Sequence, residues 1–305
     1  EPGNYSYDRS AWRAYVLSTR GHNTVMVDGQ EQHRRAMRDT FLAKSALPNR
    51  WLTRADFDFA EGTYADGYGP KNDRTVTHRR QVLFVKPDYW IVVDVLEPSD
   101  QAEHRYEALF HLDAESVSIE PAEAPGAEKP VPKLGTGFWI ATCDPGKGNL
   151  ALVSLAPGMA AEIVKGQERP VVQGWLPTGR HNELRPIPTV ALTKRGAGRT
   201  VMAYALVPFG PEARCPVTSR IISELANSEI LVQERSRGDV AAATLRFGPD
   251  REDLIVINPP VADAPSRSVS AGGLTTDAEI AVLSRGAQGE ALRTLLIGAS
   301  VGIGR

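Results

Sequence analysis

Short runs rich in β-branched and aromatic residues recur along almost the whole 305-residue chain, divided by Gly, Pro and Asp. That punctuation is the strongest constraint on what the chain can become. The runs at 75–85 (TVTHRRQVLFV) and 89–96 (YWIVVDVL) flank Pro87-Asp88 and predict an antiparallel hairpin, which 105–112 continues as a meander. Further strands are predicted over 13–18, 24–27, 56–64 (breaking at Gly62), 137–142, 150–155, 161–165, 189–193 and 200–207. Others are predicted at 229–234, 240–247, 254–257, 278–284 and 291–298. Helical readings are confined to a short helix or irregular crossing at 30–45 and a single turn at 221–225. Residues 173–188 read as a long loop. Without long amphipathic helices, a βαβ architecture is disfavoured. The expected fold is all-β: a large antiparallel β-sandwich over 1–212 and a smaller β region over 213–305. A Pro/Ala/Glu-rich stretch, 120–132, is expected as a surface loop inside the first.

Composition narrows the functional classes. Hydrophobic residues at 42 % and charged residues at 24 % suit a globular chain with a sizeable core. A net charge of -2 lends no support to nucleic acid as a partner, which calls for clustered excess cation. Two cysteines, Cys143 and Cys215, are too few for a disulfide framework, and no apolar run reaches the length of a membrane-spanning helix. The sequence opens Glu-Pro-Gly without Met, so further residues upstream are expected, and groups needed for chemistry could lie there.

Of the self-contained catalytic motifs, HExxH, a CxxC pair and a phosphate-cradling Gly loop are absent. Chemistry-bearing residues crowd instead into 5–32, YSYDRSAWRAYVLSTRGHNTVMVDGQEQ. A strand that begins His22-Asn23 and runs into an Asp28-Gly29 turn is an unusual use of polar residues. His22 is either a satisfied core or edge histidine, or a ligand for a metal or a substrate carboxylate; with Glu1 it has the donor types that suit zinc. Asn23 could orient it or cap the strand, and is also a candidate substrate contact. Tyr5, Tyr7 and Tyr15 are phenols that could move a proton, or rim tyrosines that only pack. Arg9, Arg13 and Arg20 could fork onto sugar carboxylates, or be ordinary surface arginines. Farther on, His78 and Arg80 share one strand face, as a site edge or a solvated face. Their neighbours His104 and His111 are an odd number of residues apart, so at most one of that pair should approach the same site. Trp12, Trp175 and Arg180 are candidates to line a sugar groove, while His33 and His181 read as surface residues.

The run EPGNYSYDRSAWRAYVLSTRGHNTVMVDGQEQ, with its His-Asn-Thr-Val and Val-Asp-Gly, resembles heparinase II/III-like proteins; THRRQVLFVKPDYWIVVDVL, HRYEALFHLD and Gln-Gly-Trp at 173–175 are similar too. That family consists largely of polysaccharide and oligosaccharide lyases with an N-terminal α/α toroid followed by a β-sandwich, and this chain resembles the sandwich region. The resemblance implies zinc bound by His22 and by Glu1, where Asp is usual. It places Tyr7, or Tyr5, at the cleft and a further histidine ligand and a catalytic histidine upstream. It implies β-elimination on an acidic polysaccharide or oligosaccharide, with the site completed by the toroid in the same polypeptide or on a second chain. A homodimer is left open, and a periplasmic or secreted location is expected from the substrate. Against this enzyme stands an inactive carbohydrate-binding or structural sandwich. A glycoside hydrolase is a weaker reading, because no facing carboxylate pair stands out.

Overall fold

The computed structural model describes residues 2–3, 5–33, 49–121, 137–211, 217–221, 226–227, 238–261 and 264–298. Glu1, Cys215 and most of the predicted features at 30–45, 120–132, 221–225 and 229–234 lie outside them. Nearly all the regular secondary structure of the described residues is strand, and every strand pairing is antiparallel.

The described residues form four sheets and a small hairpin. The first sheet orders β1 (Val25–Val27), β6 (Glu103–His111), β13 (Pro188–Ala197) and β10 (Ala160–Lys165). The largest runs β2 (Trp51–Thr53), β3 (Phe57–Tyr64), β4 (Val76–Val85), β5 (Tyr89–Pro98), β14 (Thr200–Phe209), β9 (Asn149–Ser154), β8 (Phe138–Thr142) and β7 (Val117–Pro121). A separate hairpin joins β11 (Trp175–Pro177) to β12 (Leu184–Pro186). The C-terminal sheet orders β15 (Val217–Ile221), β17 (Ala241–Phe247), β18 (Arg251–Ile257), β21 (Ile280–Gly286) and β22 (Ala291–Ile297). Against it lie β16 (Ala226–Asn227), β19 (Val269–Ala271) and β20 (Leu274–Thr276).

Alternation along the strands sorts these sheets into layers, because successive side chains leave opposite faces. On β5, Val92 and Asp94 face the four-stranded sheet. Tyr89, Ile91 and Val93 face the C-terminal sheet, where Tyr89 packs on Phe247 at 5.4 Å between ring centroids. Phe110 of β6 meets Tyr204 of β14 edge-on at 5.1 Å across the first interface. One apolar core thus unites three sheets, with the eight-stranded one in the middle. A second core, Ala242, Leu254, Val256 and Ala281 against Val269, Ala271 and Leu274, seals the far face of the C-terminal sheet.

Three predicted elements need correction. Residues 13–18, expected as strand, belong instead to a short helix, α1 (Ala11–Val16), and to the turn after it. Ser10 caps the helix by accepting the Arg13 amide, Ala11, Arg13 and Ala14 favour it, and Tyr15 and Val16 bury one side. Strand β3 continues through Gly62, held on its partner β4. Residues 173–188 contain the hairpin β11–β12, whose three-residue strands are too short to leave an alternating signature.

Candidate functional site

The outer face of the four-stranded sheet carries the unusual segment. From α1 the chain makes a 3-10 turn, Thr19–Gly21, then enters β1 through His22 and Asn23. Gly21 lies so close to α1 that a Cβ there would sit 2.7 Å from the Tyr15 carbonyl oxygen. At the far end Asp28 and Gly29 both adopt positive φ, 52° and 72°, and the Gln30 amide donates to the Val27 carbonyl at 2.8 Å. This hairpin turn demands such residues and folds 30–32 back along the 3-10 turn. There Glu31 accepts the Thr19 amide at 3.1 Å, the Gln32 amide donates to Thr19 Oγ1 at 2.9 Å, and Gln32 Nε2 donates to Thr24 Oγ1 at 3.1 Å.

Between these folded-back pieces opens a cleft of about 650 Å³, lined by Arg9, Arg13, His22, Glu31, His33 and Tyr64 among others. Among the described residues, two guanidinium groups and two imidazoles therefore border one concavity, with the carboxylates of Asp8 and Glu31 beside them. Asp8 is engaged locally, accepting from the Ser10 amide and hydroxyl, and the Ser10 hydroxyl hydrogen bond is the main reason its pKa lies below the usual range. His22 Nδ1 lies 2.7 Å from the Ser18 carbonyl oxygen. A carbonyl only accepts, so Nδ1 carries the proton and Nε2 is the lone-pair nitrogen of the neutral ring.

The predicted site residues fall into separate groups. Arg9, Arg13 and His22 meet at the cleft. Tyr7 is 84 % exposed, with the Arg13 guanidinium 4.9 Å from its ring centre. Tyr5 is buried in an apolar cluster with Tyr15 and Val16, against which Trp12 and Trp175 pack edge-on to each other at 5.0 Å. Tyr15 ties that cluster to β11, donating its hydroxyl to the Trp175 carbonyl at 3.1 Å, and burial raises its pKa. Arg20 faces Glu31 at 3.8 Å and Glu107 at 4.0 Å. Asn23 does not line the cleft: its Oδ1 accepts the His111 amide at 2.8 Å and His111 Nδ1 at 2.9 Å. His33, read from sequence as a surface residue, lines the cleft.

His78 and Arg80 do share a face, and it points into the core between the first two sheets. Both engage Asp94, which is fully buried: His78 Nε2 lies 2.7 Å from Oδ1, and Arg80 forks onto both oxygens at 2.6 and 2.8 Å. Burial alone would raise the Asp94 pKa; the Arg80 and His78 charges overcome it and hold the carboxyl well below the usual range. Arg80 Nη1 also donates to the Asn23 carbonyl. His104 and His111, on opposite faces of β6, part ways: His104 sits between Asp28 at 2.6 Å and Asp100 at 2.9 Å, while His111 meets Asn23, next to His22 in the chain. Burial lowers the His111 pKa to about 4, so its ring is neutral near pH 7. Gln173 completes the group, its Nε2 donating to the Arg20 carbonyl at 3.1 Å and lying 3.4 Å from His111 Nε2. Sequence reasoning marked His111 only as one of an undecided pair; the signal available was its parity opposite to His104.

No group of three His, Cys, Asp or Glu side chains is placed to hold a metal ion among the described residues. His22 offers one nitrogen in a tautomer fixed by a backbone carbonyl, as metal-bound imidazoles commonly are. The described residues therefore fit one ligand of a zinc site and not a whole one.

No curated protein gives a significant match to this sequence. Among solved structures, the heparan sulfate lyase HepC from Pedobacter heparinus superposes with a TM-score of 0.53 at 18 % identity, covering 84 % of this chain and 34 % of that one. A heparinase III superposes with a TM-score of 0.51 at 15 % identity, over 80 % of this chain and 32 % of that one. The chain thus spans about a third of the length of each, and at such identity the likeness is one of fold. The profile of the family described as heparinase II/III-like, C-terminal, matches residues 1–210, more than half of the chain, and the protein belongs to that family.

Proposed function

We propose that this chain forms the sandwich side of the catalytic cleft of a lyase that breaks uronic-acid-containing glycans by β-elimination. The observation that carries the reading is the position of the cleft: it is built from the segment holding the family signature, and Arg9, Arg13 and His22 border it. In such a reaction the uronate carboxylate must be neutralised so that the adjacent C5 proton becomes acidic. Among the described residues, Arg9 and Arg13 line the cleft as cations suited to that carboxylate. A base then takes the C5 proton, the C4–O bond breaks, and the departing oxygen gains a proton, leaving an unsaturated uronyl end. Tyr7, exposed beside Arg13, is the proposed phenol for proton transfer; Tyr5 is packed away.

The rest of the site is proposed to come from a helical domain, in the same polypeptide or on a second chain. Zinc is proposed to bind His22 Nε2, with Glu1 and donors beyond the described residues, and would hold nearby groups in place. A periplasmic or secreted location suits a polymeric substrate, and no helix of the described residues is long and apolar enough to cross a membrane.

The test is an ultraviolet assay for the conjugated product, using the full-length protein on a panel of uronate polymers and oligomers. Product formation that Arg13→Ala reduces by about 10–100-fold, chiefly through a raised KM, is expected for a lost charge-assisted contact. Loss of bound zinc in His22→Ala is expected alongside. Glycan binding without any product would identify an inactive carbohydrate-binding sandwich instead.

A further inference from the structure

We propose that Asn23 is a positioning residue, fastened from both sides of the sheet so that the adjoining His22 keeps its aim into the cleft. The inference rests on the reading of that cleft as the glycan site. Of the roles open to Asn23 from sequence, the contacts favour orienting His22 over touching substrate.

Both oxygens of Asn23 are engaged, from opposite directions. From the core side, Arg80 Nη1 donates to the backbone carbonyl. Arg80 cannot swing, because its Nε and Nη2 are forked onto Asp94, which is itself fully buried. From the outer side, the His111 amide and ring Nδ1 both donate to Asn23 Oδ1, at 2.8 and 2.9 Å. The His111 ring is backed by Gln173, which reaches across to the Arg20 carbonyl, two residues before His22. Next along the chain, the Thr24 carbonyl accepts the Leu109 amide at 2.9 Å. The chain on both sides of His22 is thus held by β4, β6 and the stretch leading into β11, while the His22 ring is steadied by the Ser18 carbonyl. A buried Asp94–Arg80 pair would be a costly way to build a core. It is accounted for if its guanidinium has the carbonyl of Asn23 to hold.

The chemistry of the amide makes the proposal testable. The contacts seen for the Asn23 side chain use its oxygen as an acceptor, which a carboxylate can replace. A contact to a substrate carboxylate would use the NH2 group as donor, which a carboxylate cannot replace.

The experiment compares Asn23→Ala, Asn23→Asp and Arg80→Lys in the full-length protein, by steady-state kinetics on the best uronate glycan and by amide hydrogen exchange. Asn23→Ala and Arg80→Lys are expected to lower kcat by about 10–100-fold with KM within about threefold, as for a misaimed group that does not itself bind. Amides of 22–24 should exchange faster in both, with those of β5 and β14 unchanged. Asn23→Asp should restore most of the activity that Asn23→Ala loses. An Asn23→Asp variant as impaired as Asn23→Ala, with KM raised about tenfold or more, overturns the proposal, because the amide then donates to substrate. So does unchanged exchange at 22–24 in both Asn23→Ala and Arg80→Lys. If the wild-type protein forms no unsaturated product from any glycan, the lyase reading falls, and the exchange measurement still decides the positioning role.

Discussion

Asp94 shows how much a single buried charge can organise. It is fully enclosed, and it is tolerable only because Arg80 and His78 answer it at hydrogen-bond distance. Asp94→Asn would leave the Arg80 guanidinium without its counter-charge and should cost about 3–5 kcal/mol in urea unfolding. Its folded pKa lies below its unfolded value, so its stabilisation is present above about pH 4 and is lost as the pH falls further. The wild type should therefore weaken below that pH more steeply than the Asn variant does. Lys194 is the opposite case: buried, with its ammonium donating to one carbonyl, that of Val201, at 2.8 Å. Burial lowers its pKa to about 8. The unfolded chain holds that proton more tightly, so stability should rise as pH climbs from about 8 to about 10, and the penalty is complete at pH 7. Lys194→Met should raise the free energy of unfolding at pH 7 by about 1–3 kcal/mol. Neither residue could be ranked from sequence alone, because both look like ordinary strand charges until the layer they face is known.

At the scale of elements, the cleft depends on one short helix. Six residues of α1 hold Arg13 and follow Arg9, and so brief a helix cannot stand without its cap and its buried edge. Ser10→Ala removes the oxygen that accepts the Arg13 amide and should cost about 1 kcal/mol. The more telling outcome is local: faster exchange across 11–17, together with weaker glycan binding, while the melting of the sheets is little changed. The alternating strands were legible, since β4, β5, β6 and β14 carry enough residues for a period of two to stand out. The helix was not, since AWRAYV spans fewer than two turns and Tyr and Val suit either state. Only the packing of its Trp12 on Trp175 and the Tyr15 hydroxyl contact decide the matter. The Asp28-Gly29 turn was legible for the converse reason: its backbone demands those residue types wherever it occurs.

For the whole molecule, the C-terminal sheet is bolted to the middle sheet by charged and polar links as well as by apolar packing. Arg50 of the chain leading into β2 joins Glu61 to Glu279, Arg251 reaches Asp88, and the Tyr89 hydroxyl donates to Asp253 at 2.8 Å. Tyr89 and Asp253 are both fully buried, so Tyr89→Phe should lower stability by about 1–2 kcal/mol while the protein still melts in one transition. A division at about 212 remains our proposal for the domain boundary; cutting there should expose Tyr89, Ile91 and Val93 and yield an N-terminal piece that aggregates. The family signature, the antiparallel class and the gathering of Arg9, Arg13 and His22 in one stretch were all set by sequence, because turn chemistry and strand period are local properties that each residue type carries with it. Which candidates share a concavity was decided only by tertiary structure. His78 and Arg80 point into the core and not the cleft, and Asn23 meets His111 from 88 residues away, because a strand's period tells which residues share a face but not what that face is laid against.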